Sequence, residues 1–234
     1  MTPSDSEPDP ATPSEKDLKG DRTSEDFSDF DKEDAEDILT RDEVMRMSFI
    51  VEGGMGAAAL AIGFYFGVPF AKSIHLNPFY FPEIGIGVAC AIVGAIVALL
   101  AQRLPMAFAR RLKVDSQKIV TRLLCQCTIP DLIGISLLAG VGEELFFRGL
   151  LQQGLIMVIP DPWVVTGIVA VLFGLLHSMS IPYIFAAAIA SVGLSTLMLF
   201  TDDLVTCMVC HAIYDLILLL VLVRQAPAPA PATD

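Results

Sequence analysis

The chain has 234 residues, 54% of them from the hydrophobic set and only 18% charged, with a mean hydropathy of +0.63. That balance excludes an ordinary water-soluble domain and points to lipid as the solvent. The formal net charge of −12 is mostly a property of one end, because residues 1–47 hold the majority of the 27 acidic side chains.

Residues 1–47 are rich in Pro, Ser, Asp and Glu and poor in apolar side chains. Such a segment buries too little surface to offset the entropy of ordering it, so it is expected to be a disordered acidic tail. It lacks the basic and apolar regions of a secretory signal. Its alternative reading is an acidic arm for a partner that the sequence does not identify. Residues 226–234 form an Ala/Pro-rich end with polyproline character, which leaves residues 48–225 as the membrane domain.

A membrane span needs about 20 mostly apolar residues. Gly53 to Ala71 and Ile84 to Gln102 meet that need without a charge, and Gly63-x-x-x-Gly67 suggests a close-packing face. A third span begins at Pro130-Asp131 and runs through Glu143, Glu144 and Arg148 toward Ile159. The fourth starts at Asp161-Pro162, a cap acid followed by a first-turn proline, and reaches His177. The fifth follows Pro182 and ends before Asp202-Asp203, and the sixth continues to Val223 with Arg224 at its foot. The expected fold class is therefore an all-α membrane protein, a bundle of about six transmembrane helices.

Arg103, Arg110, Arg111, Lys113, Lys118 and Arg122 crowd the connection between the second and third spans. The positive-inside bias places this loop, and with it both termini, in the cytoplasm of a multi-pass plasma or inner membrane protein. Residues 116–128 are expected to lie along the interface as a short amphipathic helix. The five cysteines lie in or beside apolar runs and imply no disulfide framework. Cys207-x-x-Cys210-His211 matches the haem-attachment string, but its apolar setting argues against attachment, and burial also argues against Cys207 as a thiolate nucleophile.

Glu143, Glu144, Arg148, His177, His211 and Asp215 all fall at or near membrane depth. Each charged group there costs about 2.5 to 3.5 kcal/mol, so these side chains must pair or line a wet cavity. Glu144 and Arg148 stand four apart and can pair on one helix face, while Glu143 is turned away by about 100°. His211 and Asp215 have the same spacing. A buried carboxylate beside an imidazole is the layout of a general base that activates water, and a second histidine can donate to an oxyanion. The bland reading makes Glu144 and Arg148 a structural ion pair, His177 and His211 satisfied inter-helix bonds, and Phe146, Phe147 and Phe173 lipid-facing or core aromatics. His75 is expected to be solvent-exposed.

The strings Glu143-Glu144-Leu145-Phe146-Phe147-Arg148, Phe173-x-x-x-His177 and His211-x-x-x-Asp215 resemble, in order, the three signature motifs of the CAAX-processing and bacteriocin-processing intramembrane proteases, a family also called Abi or Rce1-like. The resemblance implies a helical membrane fold with a cavity open toward the cytoplasm and glutamate-dependent peptide hydrolysis near the membrane surface. It implies that Glu143 and His177 activate the water, that His211 and Asp215 stabilise the oxyanion, and that Glu144, Arg148 and Phe173 support them. Many members carry Asn where this chain has Asp215. An ionised Asp cannot donate to an oxyanion, so Asp215 is either protonated or orients His211.

The water-activating account needs no cofactor. In the competing account Glu143, His177, His211 and Asp215 hold Zn²⁺, although no HExxH is present. The expected partners are membrane lipid and a peptide or protein substrate, possibly membrane-anchored, with no nucleic acid. CAAX-type maturation and bacteriocin processing or immunity stay open as roles. A catalytically silent scaffold and a transporter or proton-relay protein are the rival classes, though no internal repeat favours the latter.

Overall fold

The computed structural model describes residues 38–75 and 81–225. The bulk of the expected tail, residues 1–37, the Ala/Pro-rich end at 226–234 and the loop at Asn77-Pro78 lie outside the described residues. Among the described residues there are seven helices, α1 Arg41–Phe66, α2 Phe81–Ala101, α3 Ala107–Leu124, α4 Ile129–Ile156, α5 Pro162–Leu176, α6 Ile181–Thr201 and α7 Leu204–Gln225, and no strand. α1, α2, α6 and α7 are each long and apolar enough to cross a membrane, and α3 and α4 together pass the same test across a 112° bend. α5 is apolar but only 15 residues long.

α1 corrects the sequence expectation at both ends. It starts at Arg41 because Thr40 and Glu43 close a capping box, with Thr40 N–H donating to Glu43 Oε2 at 2.9 Å. Residues 41–47, assigned from sequence to the tail, are thus its first two turns. It stops at Phe66 because Gly67 takes a left-handed φ of 67°. Gly67 is therefore a helix stop rather than half of a packing stripe, and Gly63 faces the Phe70 ring instead of another helix.

The other helix ends have local causes as well. Thr128 donates from N–H and Oγ1 to Asp131 Oδ2 at 2.9 and 2.7 Å, capping α4. The same Asp131 carboxylate receives Arg41 Nε and Nη2 at 2.7 and 2.6 Å, so one side chain caps α4 and ties it to the start of α1. Asp161 accepts from Trp163 N–H at 2.8 Å ahead of Pro162, as the sequence suggests. Asp203 accepts from Thr206 N–H at 2.9 Å to start α7. His75 departs from its expected exposure: its Nδ1 lies 3.4 Å from Asp203 Oδ1 and its side chain is only partly exposed.

α3 is longer than the short interfacial helix expected at 116–128, and it begins at Ala107. Its Ala109, Ser116, Val120 and Leu124 are buried while Arg110, Arg111 and Lys113 face outward or sit at the edge, which is the pattern of a helix lying along a surface. At the far ends of the spans, Tyr65, Phe66, Trp163 and Phe200 are exposed. Aromatic rings in that position suit the membrane interface.

α7 packs against α2 and α4, α5 against α6, and α1 against α4. Two glycines of α4 set two of these close approaches. A Cβ on Gly140 would stand 2.8 Å from Ala212 Cβ and 2.9 Å from Met208 O, and one on Gly142 would overlap the Glu52 carbonyl. Small residues let membrane helices approach backbone to backbone. Gly140→Val is therefore expected to push α7 from α4 and to destabilise the bundle by about 1–3 kcal/mol, read as a lower melting temperature in detergent. An unchanged melting temperature would show that α7 is free to shift.

Candidate functional site

Every sequence-proposed site residue lies on α4, on α7 or at the end of α5. Glu143 and Glu144 close the regular part of α4, and Leu145–Gln152 continue it as a π-helix. π-helical turns widen the helix and recur at functional sites. Glu144 and Arg148 are both fully buried, with Arg148 Nη1 donating to Glu144 Oε1 at 2.8 Å. Arg148 Nη2 donates to Ser191 O and Oγ on α6 at 3.1 and 2.9 Å. One turn on, Gln152 Nε2 donates to Ser195 O at 3.1 Å, a second rung of the same ladder.

Glu144 does more than pair with Arg148. His211 Nδ1 lies 2.7 Å from Glu144 Oε1, and because a carboxylate only accepts, Nδ1 carries the proton. His211 Nε2 then faces Asp215 Oδ2 at 3.4 Å. The sequence spacing anticipated the His211–Asp215 relation, whereas the bond from Glu144 to His211 crosses 67 positions and had no local signal.

His177 terminates α5 and stands apart from His211. Its Nδ1 is 2.8 Å from the Phe173 carbonyl, which fixes that nitrogen as the donor and leaves Nε2 as an acceptor. Nε2 is 3.8 Å from Glu143 Oε1. That gap exceeds a direct hydrogen bond and suits one bridging water. The side chains of His177 and Asp215 are 28% and 30% exposed, against 7% for Glu143 and 5% for His211. The first two form the open side of the site and the second two its floor.

Phe173 organises the aromatic part. It is buried rather than lipid-facing, stacks on His177 with centroids 4.4 Å apart, meets Phe147 edge-on at 4.8 Å, and lies 5.0 Å beneath the Arg148 guanidinium. Phe147 is buried with it and Phe146 is partly buried. Cys207 is fully buried, its Sγ 3.7 Å from the Leu194 carbonyl.

Two further residues come to the site. Tyr183 of α6 stacks beside His177 at 6.5 Å, within electrostatic range of Asp215 and Glu143. Glu52 of α1 comes beside Glu143: its main chain rests against Gly142 and its Oε2 is buried. The sequence placed the first span after Glu52, which hid it. Its one available signal was that Glu52 is the single charged residue between Arg46 and Lys72.

For the metal-bound reading, the pairs Glu143–His177 and His211–Asp215 do not close on one point. Among the described residues no three His, Cys, Asp or Glu side chains are arranged to hold a metal ion.

Fold and site together define a polytopic helical membrane protein with a buried glutamate–histidine cluster. Residues 126–217, from just before α4 to the middle of α7, match the family of type II CAAX prenyl endopeptidases described as Rce1-like. The matched segment contains all three motifs, and at the level of the family it points to a membrane protease. No curated protein and no solved structure matches the chain.

Removing one partner of a buried ion pair leaves an uncompensated charge and costs about 3–5 kcal/mol. Arg148→Ala is expected to lose that much stability in thermal unfolding. Arg148→Lys should recover only part of it, since an ammonium lacks the fork that reaches Glu144 and Ser191 together. Full recovery by Lys would show that charge alone matters.

Proposed function

We propose that the protein is an intramembrane endopeptidase in which Glu143 and His177 activate a water molecule. The observation that carries this reading is the 3.8 Å gap between Glu143 Oε1 and an imidazole Nε2 whose other nitrogen is anchored on the Phe173 carbonyl. Both facing atoms accept, so a water between them donates one hydrogen to each and turns its lone pair outward. The water oxygen attacks the peptide carbonyl carbon as its proton passes to Glu143. The C–N bond then breaks and Glu143 returns that proton to the leaving amine.

His211 supplies the oxyanion contact. Glu144 fixes Nδ1 as a donor, and the protonated ring donates from Nε2, the side it shares with Asp215. Asp215 acts here as the orienting carboxylate, which accommodates Asp at a position where Asn is common in the family. Glu144, Arg148 and Phe173 hold these groups in place.

The substrate is a membrane-anchored peptide or protein, cut near the membrane surface. CAAX-type maturation and bacteriocin processing or immunity are its two candidate roles. The basic α3 marks the cytoplasmic side of a plasma or inner membrane, with both termini on that side.

The test compares cleavage of a panel of membrane-tethered peptides, prenylated and unmodified, by the purified wild type and by Glu143→Gln. A general base contributes about 10²–10⁴-fold. Glu143→Gln should lose at least that much while keeping its melting temperature, and a chelator should leave the wild type unchanged. Equal cutting by wild type and Glu143→Gln, or no cutting by either, sinks the peptidase reading in favour of a scaffold. Loss on chelation alone would instead favour the metal account.

A further inference from the structure

We infer that Glu52 is a positioning residue of the same site, a second carboxyl that donates a hydrogen bond to Glu143 and holds it toward His177. The inference rests on the reading of Glu143 as the base that activates water.

Its position is built by the backbone. Glu52 is the twelfth residue of α1, well inside the span, in a π-helical turn at Phe49–Gly53. A single π turn offsets the residues after it and re-aims the side chains it contains. The Glu52 main chain rests against Gly142, so close that a Cβ there would overlap its carbonyl. Gly142 immediately precedes Glu143. The contact therefore sets the two glutamates beside each other across the α1–α4 crossing, and each carboxyl has a buried Oε2 with no other partner.

Two carboxyls can share a hydrogen bond only if one keeps its proton. No donor from elsewhere in the described residues reaches the buried Oε2 of Glu52 or the buried Oε2 of Glu143. His211 and Asp215 lie within electrostatic range of Glu52 but are engaged with Glu144 and with each other. Arg148 is committed to Glu144 and Ser191. A hydrogen shared by Glu52 and Glu143 is thus the arrangement that satisfies both carboxyls. It directs Glu143 Oε1 to the His177 side, where the water is held.

Gln at position 52 can still donate, from its amide, whereas Leu of similar size cannot. Glu52→Gln is expected to keep kcat within about threefold of wild type, and Glu52→Leu to lower kcat by tenfold or more with KM little changed. Parallel loss in both variants, or no loss in Glu52→Leu, would overturn the assignment.

Infrared spectra give a readout that needs no activity. A protonated-carboxyl C=O band present in wild type should vanish in Glu52→Gln and should persist but shift in frequency in Glu143→Gln, where the Glu52 carboxyl donates to an amide oxygen instead. Its persistence in Glu52→Gln would overturn the assignment even if Glu52→Leu fails to fold. Should Glu143→Gln cleave like wild type while the band behaves as expected, the carboxyl pair stands and the peptidase reading falls.

Discussion

The bond on which the rest of the arrangement depends is the ion pair between Glu144 and Arg148. Two charges taken fully out of solvent are costly, and their attraction offsets that cost only if the remaining donors and acceptors are also used. Here Glu144 Oε1 and the two terminal nitrogens of Arg148 are used, while Glu144 Oε2 and Arg148 Nε have no partner among the described residues. Glu144 Oε1 takes both the Arg148 guanidinium of its own helix and the His211 imidazole of α7. Arg148 spends its other arm on Ser191 of α6 and lies over Phe173 of α5. One pair of side chains therefore connects four helices, and the two histidines inherit their positions from it.

What the sequence made legible was whatever is carried by short spacing. Glu144 with Arg148, and His211 with Asp215, are i, i+4 pairs within one helix, so their proximity follows from short spacing even though Arg148 lies in the π-helical stretch. The start of α5 at Asp161-Pro162 and the end of α6 before Asp202 are equally local, fixed by a cap and a left-handed residue. What the sequence hid was non-local or broke the regular period. Thr40 caps a helix whose first turns read as an acidic tail by composition. Glu52 reads as a boundary because a lone charge in an apolar run looks like the edge of a span. It lies inside one only because Glu143, 91 positions later, meets it.

The π-helical stretches explain why the site could not be drawn on an ideal helical wheel. On regular helix Glu143 and Glu144 are separated by about 100°, which already sends one toward Arg148 and the other away. The wider turn at Leu145–Gln152 then offsets everything after it, so that Arg148 and Gln152 both face the Ser191 and Ser195 edge of α6. The matching turn at Phe49–Gly53 lies where α1 crosses α4. Both irregular segments flank the same two glutamates, and small residues on α4 allow the partner helices close enough to use them.

The proposed hydrolysis inside a membrane needs water where lipid would exclude it, and the shortness of α5 addresses that requirement. With 15 residues α5 spans about 22 Å, less than the hydrocarbon thickness of roughly 30 Å. His177, the cap that follows its last turn, is therefore carried to the open side of the site instead of being enclosed in mid-helix. Asp215, one turn beyond His211, is similarly exposed, while Glu143 and His211 stay beneath them. The polarity of the cluster thus runs from a wet rim to a dry floor. That gradient lets a carboxylate remain in contact with water while the ion pair that positions it stays sealed from lipid.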